Sequence, residues 1–307
     1  EDLIFNVTLS NGSDSVVTFP FSLGGGASGD PAEITDYSLL SFSNNVTYDS
    51  NTGLITVPAG VTGFTVTVAT TDDTLDENNE TVDLSIGGET ATGTIVDNDG
   101  APTVTDIELQ NAQAEEGVED LIFNVTLSNG SDSVVTFPFS LGGGASGDPA
   151  ETTDYSLLSF SNNVTYDSNT GLITVPAGVT GFTVTVATTD DTLDENNETV
   201  DLSIGGETAT GTIVDNDGAP TVTDIELQNA QAEEGVEDLI FNVTLSNGSD
   251  SVVTFPFSLG GGANGDPAEA TDYSLLSFSN NVTYDSNTGL ITVPAGVTGF
   301  TVTVATT

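Results

Sequence analysis

The sequence predicts an all-β protein made of tandem antiparallel β-sandwich domains of immunoglobulin-like architecture, with about seven strands in each. Three observations predict this fold. Apolar and polar residues alternate with a period of two over many short segments, which is typical of strands with one face in the core and one in water. The sequence repeats itself at a domain-sized spacing of 118 residues. It also contains no amphipathic stretch of helical periodicity, which leaves strands as the only regular element.

The repeat is almost perfect. The segment EDLIFNVTLSNGSDSVVTFPFSLGGGA begins at Glu1, Glu119 and Glu237 and is identical in the three copies. Only two positions vary between the copies: one holds Ser28, Ser146 and Asn264, and the other holds Ile34, Thr152 and Ala270. Near-identity at this spacing indicates an array of separate domains, because solenoids repeat at 20–50 residues. The stretch VDNDGAPTV marks the predicted boundaries: the first copy, 1–100, lacks its first strand; the middle copy, 101–218, is complete; the third copy, 219–307, is truncated at its C-terminal end. We expect the chain to be a segment of a longer array with neighbouring domains in contact.

The elements of the middle copy follow from the alternation of apolar residues. The predicted strands cover 121–127, 135–141, 182–186, 200–204 and 209–213. The segments SNGSDS and YDSNTGL predict hairpin turns, because Gly, Asn, Asp and Ser favour tight turns. Pro138 lies inside the second of these strands and predicts that this strand lies at a sheet edge, since proline donates no hydrogen bond to a neighbour.

The charge of the chain is entirely negative. Of its 307 residues, 47 are Asp or Glu and none is Lys, Arg or His, which gives a formal net charge of −47. Two carboxylates about 4 Å apart repel by roughly 4 kcal/mol near a protein surface. Clustered acids therefore need either screening salt or a bound metal, and the balancing cation must come from solution.

The missing residue types also exclude functions. Without His, Cys, Lys or Arg the chain forms no Ser-His or Cys-His nucleophile, no Schiff base and no arginine clamp on phosphate, so we expect that it is not an enzyme. A polyanion is unsuited to binding nucleic acid. Without cysteine there is no disulfide, and without a run of about 20 apolar residues we expect no membrane insertion.

Four acidic groups recur in each copy, and each lies at the end of a predicted strand. Strand ends gather at the two poles of a sandwich, so acidic segments distant in sequence are expected to converge on one tip. Calcium takes six to eight oxygen ligands, and several acidic loops at one tip can supply them. The alternative is that the acids only solvate the surface of a protein in salty water. We favour calcium, because the outward strand positions carry mainly Thr and Ser and the acids are confined to strand ends.

The segment TDY…ITVPAGVTGFTVTVATTDDTLDENNETVDLSI…TGTIVDND resembles the Calx-beta domain, a calcium-binding sandwich found in sodium–calcium exchangers and in many bacterial surface proteins. The resemblance covers nearly the whole repeat and includes, in order, the DY pair, P-x-G, DD-x-x-x-E-x-x-E and the closing I-x-D-x-D. It implies Ca²⁺ as the bound cofactor. Asn216 departs from an acidic triplet at the closing motif, which implies fewer or weaker ions.

The resemblance also implies a set of calcium ligands. In the middle copy they are Glu116 or Glu115, Asp154, Asp190, Asp191, Glu195, Asp215 and Asp217, with Glu198 as a weaker match. The corresponding candidates are Asp36, Asp72, Asp73, Glu77, Asp97 and Asp99 in the first copy, and Glu233, Glu234 and Asp272 in the third.

These observations predict a secreted or cell-surface structural protein: an extracellular filament or the stalk of an adhesin, active in cell adhesion and biofilms, and made of calcium-rigidified repeats. Its expected partners are calcium ions, neighbouring repeats and other copies of itself in a filament. The alternative is a repetitive carbohydrate- or surface-binding module that acts through avidity. That alternative needs an exposed aromatic or amide cluster, for which Tyr155, Phe160 and Tyr166 are the candidates.

Overall fold

The computed structural model of the chain describes residues 1–229 and 231–307, and describes Leu158 by its backbone alone. None of these residues lies in a helix, and strands follow one another along the whole described chain. No helix among them could therefore span a membrane. The predicted all-β fold class is confirmed.

Strands recur at the same positions in each copy. The first copy contains β1 (Leu3–Thr8), β2 (Val17–Gly25), β3 (Asp30–Pro31), β4 (Tyr37–Phe42), β5 (Thr47–Asp49), β6 (Leu54–Val57), β7 (Gly63–Thr70), β8 (Leu75–Asp76), β9 (Glu80–Ile86) and β10 (Glu89–Ile95). The middle copy adds two strands at its start and contains β11 (Val104–Leu109), β12 (Gln113–Glu115), β13 (Leu121–Leu127), β14 (Gly130–Ser131), β15 (Val135–Gly143), β16 (Asp148–Pro149), β17 (Tyr155–Phe160), β18 (Thr165–Asp167), β19 (Leu172–Val175), β20 (Gly181–Thr188), β21 (Leu193–Asp194), β22 (Glu198–Ile204) and β23 (Glu207–Val214).

The third copy contains β24 (Val222–Leu227), β25 (Leu239–Leu245), β26 (Gly248–Ser249), β27 (Val253–Pro256), β28 (Tyr273–Phe278), β29 (Thr283–Asp285), β30 (Leu290–Val293) and β31 (Gly299–Thr306). In the middle copy one sheet has the strand order β11-β13-β20-β17 and the other has the order β12-β23-β22-β15-β19-β18. Most neighbouring strands within the sheets are antiparallel, as predicted; β12 on β23 and the short β16 on β22 are parallel.

The contacts of the chain divide it into two compact units. Unit 1 comprises Glu1–Asp106, Val125–Pro138 and Asn162–Phe182, and unit 2 comprises Ile107–Asn124, Phe139–Ser161 and Thr183–Thr307. These units do not follow the 118-residue repeat. The domain boundaries at residues 100/101 and 218/219 accordingly stay predictions.

Unit 1 contains the sheets β1-β7-β4 and β10-β9-β2-β6-β5, between which the core of the first copy lies. Val66 and Val68 of β7 face this core from one sheet, and Ile55 and Val57 of β6 face it from the other; all four side chains are fully buried. The alternation of Val and Thr along β7 explains this arrangement, because successive side chains of a strand point to opposite faces.

Unit 2 contains the sheets β24-β25-β31-β28 and β27-β30-β29 of the third copy, with their own core around Val293 and Val304. It also contains β12, β22, β23 and the second half of β15 from the middle copy. On β22 the alternation predicted from the sequence is confirmed, since Val200, Leu202 and Ile204 are fully buried.

Two sequence predictions about local elements need correction. The strand that contains Pro138 is an edge strand only locally, because β15 as a whole lies between β22 and β19 but no residue of it pairs with both. Its two halves pair with different neighbours: Val135–Pro138 with β19, and Phe139–Gly143 with β22. Pro138 ends the first half, so the hydrogen bond that proline cannot donate is not required there.

The segment SNGSDS was also wrongly predicted to form a hairpin turn. In the middle copy it connects β13 and β15, which belong to different sheets. Its central residues, Gly130 and Ser131, form β14 and pair with β8 of the first copy. The second predicted turn, YDSNTGL, does join the antiparallel pair β18 and β19, and Asp167 caps it by accepting a hydrogen bond from the Asn169 backbone N–H at 2.9 Å.

Candidate metal centre

The first strand pair that builds the site is β12 with β23. These strands run parallel, with Ala114 opposite Ile213, and the Glu116 backbone N–H donates to the Val214 carbonyl at 3.1 Å. Glu116 therefore leaves β12 beside the closing VDND segment of the same copy. The Asn216 side-chain amide donates to the Glu116 carbonyl at 2.9 Å. Asn216 thus holds the main chain of Glu116, which explains a neutral residue at this position.

Glu116, Asp215 and Asp217 form an acidic cluster. One carboxylate oxygen from each residue lies within 4.8 Å of the others. Glu116 is only 3% exposed, and its Oε1 atom and Asp217 Oδ2 have no hydrogen-bond partner among the described residues. Leaving a buried charged oxygen unpaired is costly, and this chain has no basic side chain to pair with it. A cation from solution is the partner that fits.

The glycine of the AEEG motif is needed for this geometry. Gly117 has a φ of +63°, in the left-handed region, and its backbone N–H donates to Thr188 Oγ1 at 2.9 Å. A Cβ atom at Gly117 would lie 2.1 Å from Cβ of Asp190. The glycine therefore lets the AEEG turn approach the DD pair at the end of β20.

A second acidic cluster occurs in both the first and the middle copies. Glu151, Asp154 and Glu198 have carboxylate oxygens within 4.8 Å of one another, as do the equivalent residues Glu33, Asp36 and Glu80. The Asp and the second Glu of each cluster are buried. Glu33 and Glu151 were missed by the sequence reasoning, and Glu198 was given low weight.

A hydrogen bond explains how these missed residues join the cluster. The Glu151 backbone N–H donates to Asp154 Oδ2 at 2.5 Å, and Thr153 Oγ1 donates to Asp154 Oδ1 at 2.9 Å. The carboxylate of Asp154 thus closes the turn that precedes the DY pair, with the backbone of Glu151 as its partner. The sequence signal that could have identified Glu151 is its position three residues before Asp154, in an E-x-x-D motif that directly precedes Tyr155.

The first copy also contains a cluster made only of predicted residues. Asp36, Asp73 and Glu77 lie together, with carboxylate oxygens within 4.8 Å of one another. Asp36 is buried and Glu77 is partly buried. Asp73 is fixed by the Leu75 backbone N–H, which donates to its Oδ1 at 2.8 Å. Asp36 belongs to two clusters, so the two groups of carboxylates adjoin one another.

The electrostatics of the clusters raise several pKa values. Burial, and next the charge of Asp215, raises the pKa of Glu116 to about 7. Burial, and next the charge of Asp154, raises the pKa of Glu195 to about 7. Burial and a hydrogen bond to Asp154 raise the pKa of Glu198 to about 9. Without a bound cation, the folded chain therefore retains protons on some of these groups at neutral pH.

Other predicted ligands lie around the clusters. Asp190 and Asp191 are exposed, and their charges also raise the pKa of Glu116. In the first copy Asp72 is exposed and accepts a hydrogen bond from Asn98 Nδ2 at 3.2 Å, while Asp97 and Asp99 are partly buried.

Ten predicted ligands belong to none of the observed clusters. Besides those already described, namely Asp72, Asp97, Asp99, Asp190, Asp191 and Glu195, they are Glu115, Glu233, Glu234 and Asp272. Glu115 is exposed, as are Glu233 and Glu234. Asp272 is partly buried and accepts the Glu269 backbone N–H at 2.8 Å. No cluster includes the last three among the described residues, because the third copy ends at Thr307, before the DD pair and the VDND segment.

The arrangement offers hard oxygen ligands in a charged and partly buried setting. Ca²⁺ takes six to eight such oxygens in a flexible geometry, whereas Mg²⁺ keeps most of its water and needs fewer protein ligands. The many carboxylates therefore fit calcium better than magnesium. In the middle copy the residues that could hold it are Glu116, Asp154, Asp191, Glu195, Glu198, Asp215 and Asp217.

The aromatic residues named for the binding-module alternative belong mainly to the core. Tyr155 is buried, at 9% exposure. Tyr48, the first-copy equivalent of Tyr166, packs on Phe21 with ring centroids 4.7 Å apart, and Phe21 packs in turn on Phe42. These rings pack on one another, and Tyr48 and Tyr166 each keep 37% of their surface exposed.

Comparison with solved structures gives distant likenesses. The calcium binding domain CBD12 of CALX1.1 shares 15% identity over 67% of this chain and 75% of that chain, at a TM-score of 0.24. Domains 4 and 5 of the S-layer protein SbsC share 16% identity over 59% and 70%, at 0.24. The C-terminal domain of the Streptococcus agalactiae AgI/II polypeptide BspA shares 10% identity over 70% and 83%, at 0.19.

No protein-family model and no curated protein matches the chain. With identities of 16% or less and TM-scores of 0.24 or less, these three likenesses concern β-architecture alone. The resemblance to the Calx-beta family accordingly stays a resemblance at the level of fold.

Proposed function

We propose that the chain is part of an extracellular structural protein, a filament or adhesin stalk, whose tandem β-sandwich repeats are made rigid by calcium. The observation that carries this proposal is the Glu116 carboxylate. It is 3% exposed, one of its oxygens has no partner among the described residues, and it faces Asp215 and Asp217. In a chain without basic side chains, only a proton or a cation from solution can neutralise such a group.

A structural role follows from what calcium would connect. In the middle copy, Glu116 follows β12, Asp154 precedes β17, Glu195 follows β21 and Asp215 follows β23. An ion bound to these residues crosslinks segments up to about a hundred residues apart in sequence, as a disulfide does in other extracellular proteins. The chain has no cysteine with which to build one.

The repeated sequence supports a structural role in which the repeats serve to make the protein long. The acidic segments recur from copy to copy: the DD pair and VDND occur in the first and middle copies, and AEEG occurs in the middle and third. Every complete repeat added to the array would therefore also add binding sites. A catalytic role needs basic or nucleophilic side chains that the chain lacks, and of the aromatic residues considered for sugar binding Tyr155 is buried in the core. We propose, on the same grounds, that the protein is not an enzyme and that it works at the cell surface or in a secreted filament.

Small-angle scattering of the full chain, in calcium and after dialysis against EGTA, tests this function. We expect a stiffer particle with a higher melting temperature in calcium, and equal concentrations of MgCl₂ should not reproduce the effect. Identical scattering curves and melting temperatures in calcium and EGTA would contradict the proposed role of calcium.

A further inference from the structure

The strand β1 has one open edge. It ends the sheet β1-β7-β4, so among the described residues only β7 pairs with it. The equivalent strands of the other copies, β13 and β25, each lie between two neighbours, because β11 covers β13 and β24 covers β25. Both covering strands have the sequence VTDIEL. The other two copies therefore show which strand fits an edge of this kind.

An apolar groove lies beside the open edge. It has a volume of about 480 Å³, and Phe5, Val7 and Phe19 are among the residues that line it. The equivalent residues of the third copy line a cavity together with Val222 and Ile225 of β24. These two side chains thus lie against the same apolar surface that is open in the first copy.

Burial shows what the absence of a covering strand changes. Phe5 and Val7 are only partly buried. Their equivalents on β13, Phe123 and Val125, are 0% and 2% exposed. The residues of β1 are identical to those of β13, so the difference comes from the neighbouring strands. An open strand edge beside an apolar groove is a template to which a further strand can add.

The first and third copies lack opposite parts of the sandwich. The first copy has β9 and β10 in its second sheet but no strand on the open edge of β1. The third copy has β24, but in the part of the chain that the structure describes its second sheet contains only β27, β30 and β29. Val222 and Ile225 of β24 are consequently 40% and 60% exposed. The equivalent residues of β11, Val104 and Ile107, are 7% and 8% exposed.

The backbone of β1 is oriented to accept such a strand. In the third copy the Ile240 carbonyl accepts from the Gln228 backbone N–H at 2.8 Å, so the even-numbered residues of β25 direct their backbone groups to β24. Successive residues of a strand direct these groups to alternate sides. The equivalent residues of β1, which are Ile4, Asn6 and Thr8, therefore present their N–H and C=O groups at the open edge.

The pairing of β24 with β25 also gives the register and the charges across the pair. Glu226 lies opposite Asn242, and the equivalent partner on β1 is Asn6. The other acid of β24, Asp224, lies opposite a threonine, which β1 also has at the equivalent position. Addition of β24 to β1 therefore places no carboxylate directly opposite another.

We propose that β24 of one chain leaves β25 and adds to the β1 edge of a second copy of this chain, antiparallel and in the register it has on β25. The exchange replaces one set of backbone hydrogen bonds by an equivalent set. It gains apolar burial, because Val222 and Ile225 enter a groove that β9 and β10 cover. Each chain has one open β1 edge and one β24, so the contact is head-to-tail and can extend into a linear polymer. This association goes beyond the proposed function, because it needs no calcium.

Sedimentation equilibrium of the full chain in EGTA tests the association. The net charge of −47 opposes it, so the measurement is made in roughly 1 M NaCl, where charges are screened within about 3 Å. We expect the weight-average mass to rise with concentration to at least twice that of a single chain.

Two variants should prevent the exchange. Asn6→Pro removes an N–H from the open edge, a position at which an edge strand tolerates proline, and its control Asn6→Ala keeps the N–H. Ile225→Asp puts a charge on a side chain that the exchange buries. Its control, Ile34→Asp, adds the same charge at a side chain that is 88% exposed.

We expect Asn6→Pro and Ile225→Asp each to lower the association constant at least about tenfold, because one leaves a backbone group unpaired and the other buries an unpaired charge. Both controls should associate like the unmodified chain. Circular dichroism checks that each variant folds, and Ile225→Asp keeps the test valid if the proline variant does not.

Cysteine crosslinking tests the register, because the chain has no cysteine of its own. Chains with Asn6→Cys are mixed with isotope-labelled chains with Glu226→Cys and oxidised in air. Hydrogen-bonded antiparallel pairs have Cα atoms about 5.5 Å apart, which suits a disulfide. The control is Glu108→Cys on β11, which is covered within its own copy. We expect mixed covalent dimers, identified by mass spectrometry, with Glu226→Cys and not with Glu108→Cys.

Three results would overturn the proposal. The first is a chain that stays monomeric at every concentration. The second is association of the two blocking variants equal to that of their controls, which would assign the contact to another surface. The third is equal crosslinking of the two glutamate-to-cysteine chains, which would exclude β24 as the donated strand. None of them bears on the calcium proposal, whose own test compares calcium with EGTA.

Discussion

At the scale of single residues, the account depends on carboxylates buried without basic partners. Most proteins pair a buried Glu with Arg or Lys, or keep it protonated. Here Glu116 faces Asp215 and Asp217, and the chain offers no positive side chain. Protons and dissolved metal ions therefore compete for the same oxygens, which makes both stability and calcium binding dependent on pH.

Glu116→Gln tests this competition. The variant removes a buried negative charge, so in EGTA at pH 8 we expect its melting temperature to equal or exceed that of the unmodified chain. In calcium it should be less stable and bind at least about tenfold more weakly, because a charged ligand is lost. Calorimetric titration and thermal unfolding measure the two effects.

The matched control is Glu115→Gln, which changes the exposed neighbour in the same motif. It should alter neither quantity by a comparable amount. If the two variants behave alike in calcium, Glu116 is not the ligand and its burial needs another explanation.

The raised pKa values predict how the calcium-free protein responds to pH. Glu116 and Glu195 titrate near 7 and Glu198 near 9 in the folded chain, above the ordinary glutamate value of 4.5. The folded state therefore binds more protons than the unfolded state between these values. Stability from these groups is fully present below about pH 4.5 and is lost as the pH rises through 7 and then 9.

Thermal unfolding in EGTA at pH 5, 7 and 9 checks this direction. We expect the melting temperature to fall with rising pH in EGTA, and to fall much less in saturating calcium, because calcium replaces the protons. A calcium-free melting temperature that rises between pH 5 and pH 9 would contradict the assignment of buried, protonated carboxylates.

At the scale of elements, short turns bring the acidic side chains together. The AEEG turn reaches the DD pair because Gly117 has a positive φ and no Cβ. Its equivalent in the third copy, Gly235, has a φ of +69° but no atom within 4 Å of the position a Cβ would take. Alanine substitutions at the two glycines therefore distinguish the cost of a left-handed backbone from the cost of contact with Asp190.

Gly117→Ala should destabilise the chain by more than Gly235→Ala. Both variants place an alanine in the left-handed backbone conformation, which lowers the free energy of unfolding by about 1 kcal/mol. Only the first must also move Asp190, so it alone should weaken calcium binding. Urea unfolding and calcium titration of the two single variants make the comparison, and equal effects on calcium affinity would show that the approach to Asp190 is unimportant.

The elements also show how far the sequence could predict the fold. Alternation identified β13, β15, β20, β22 and β23, because burial of one strand face leaves a period of two in the residue types. It could not identify the partner of each strand. The segment SNGSDS has turn composition, yet Ser131 pairs with a residue 55 positions earlier in the chain. Pairing of that kind depends on the distant strand, so the residue types of the segment itself do not predict it.

The candidate site was predicted in part for the same reason. The resemblance to the Calx-beta domain implied Asp36, Asp73 and Glu77, which the structure does bring together. It gave no weight to Glu151, which joins its cluster through a backbone hydrogen bond to Asp154.

At the scale of the whole molecule, a net charge of −47 acts against any compact array. Each copy repeats the same acids, so repulsion grows with every copy added. Bound calcium would neutralise these charges where they are most concentrated, at the strand ends. The near-identity of the copies ensures that every copy with all its acidic segments could bind in the same way.

The most direct test of this account is the calcium content of the full chain, measured by elemental analysis after equilibrium dialysis, together with its melting temperature before and after EGTA. The account predicts several calcium ions per chain and a melting temperature that falls sharply when they are removed. A chain that holds no calcium above the buffer level, and that melts at the same temperature in EGTA, would contradict it.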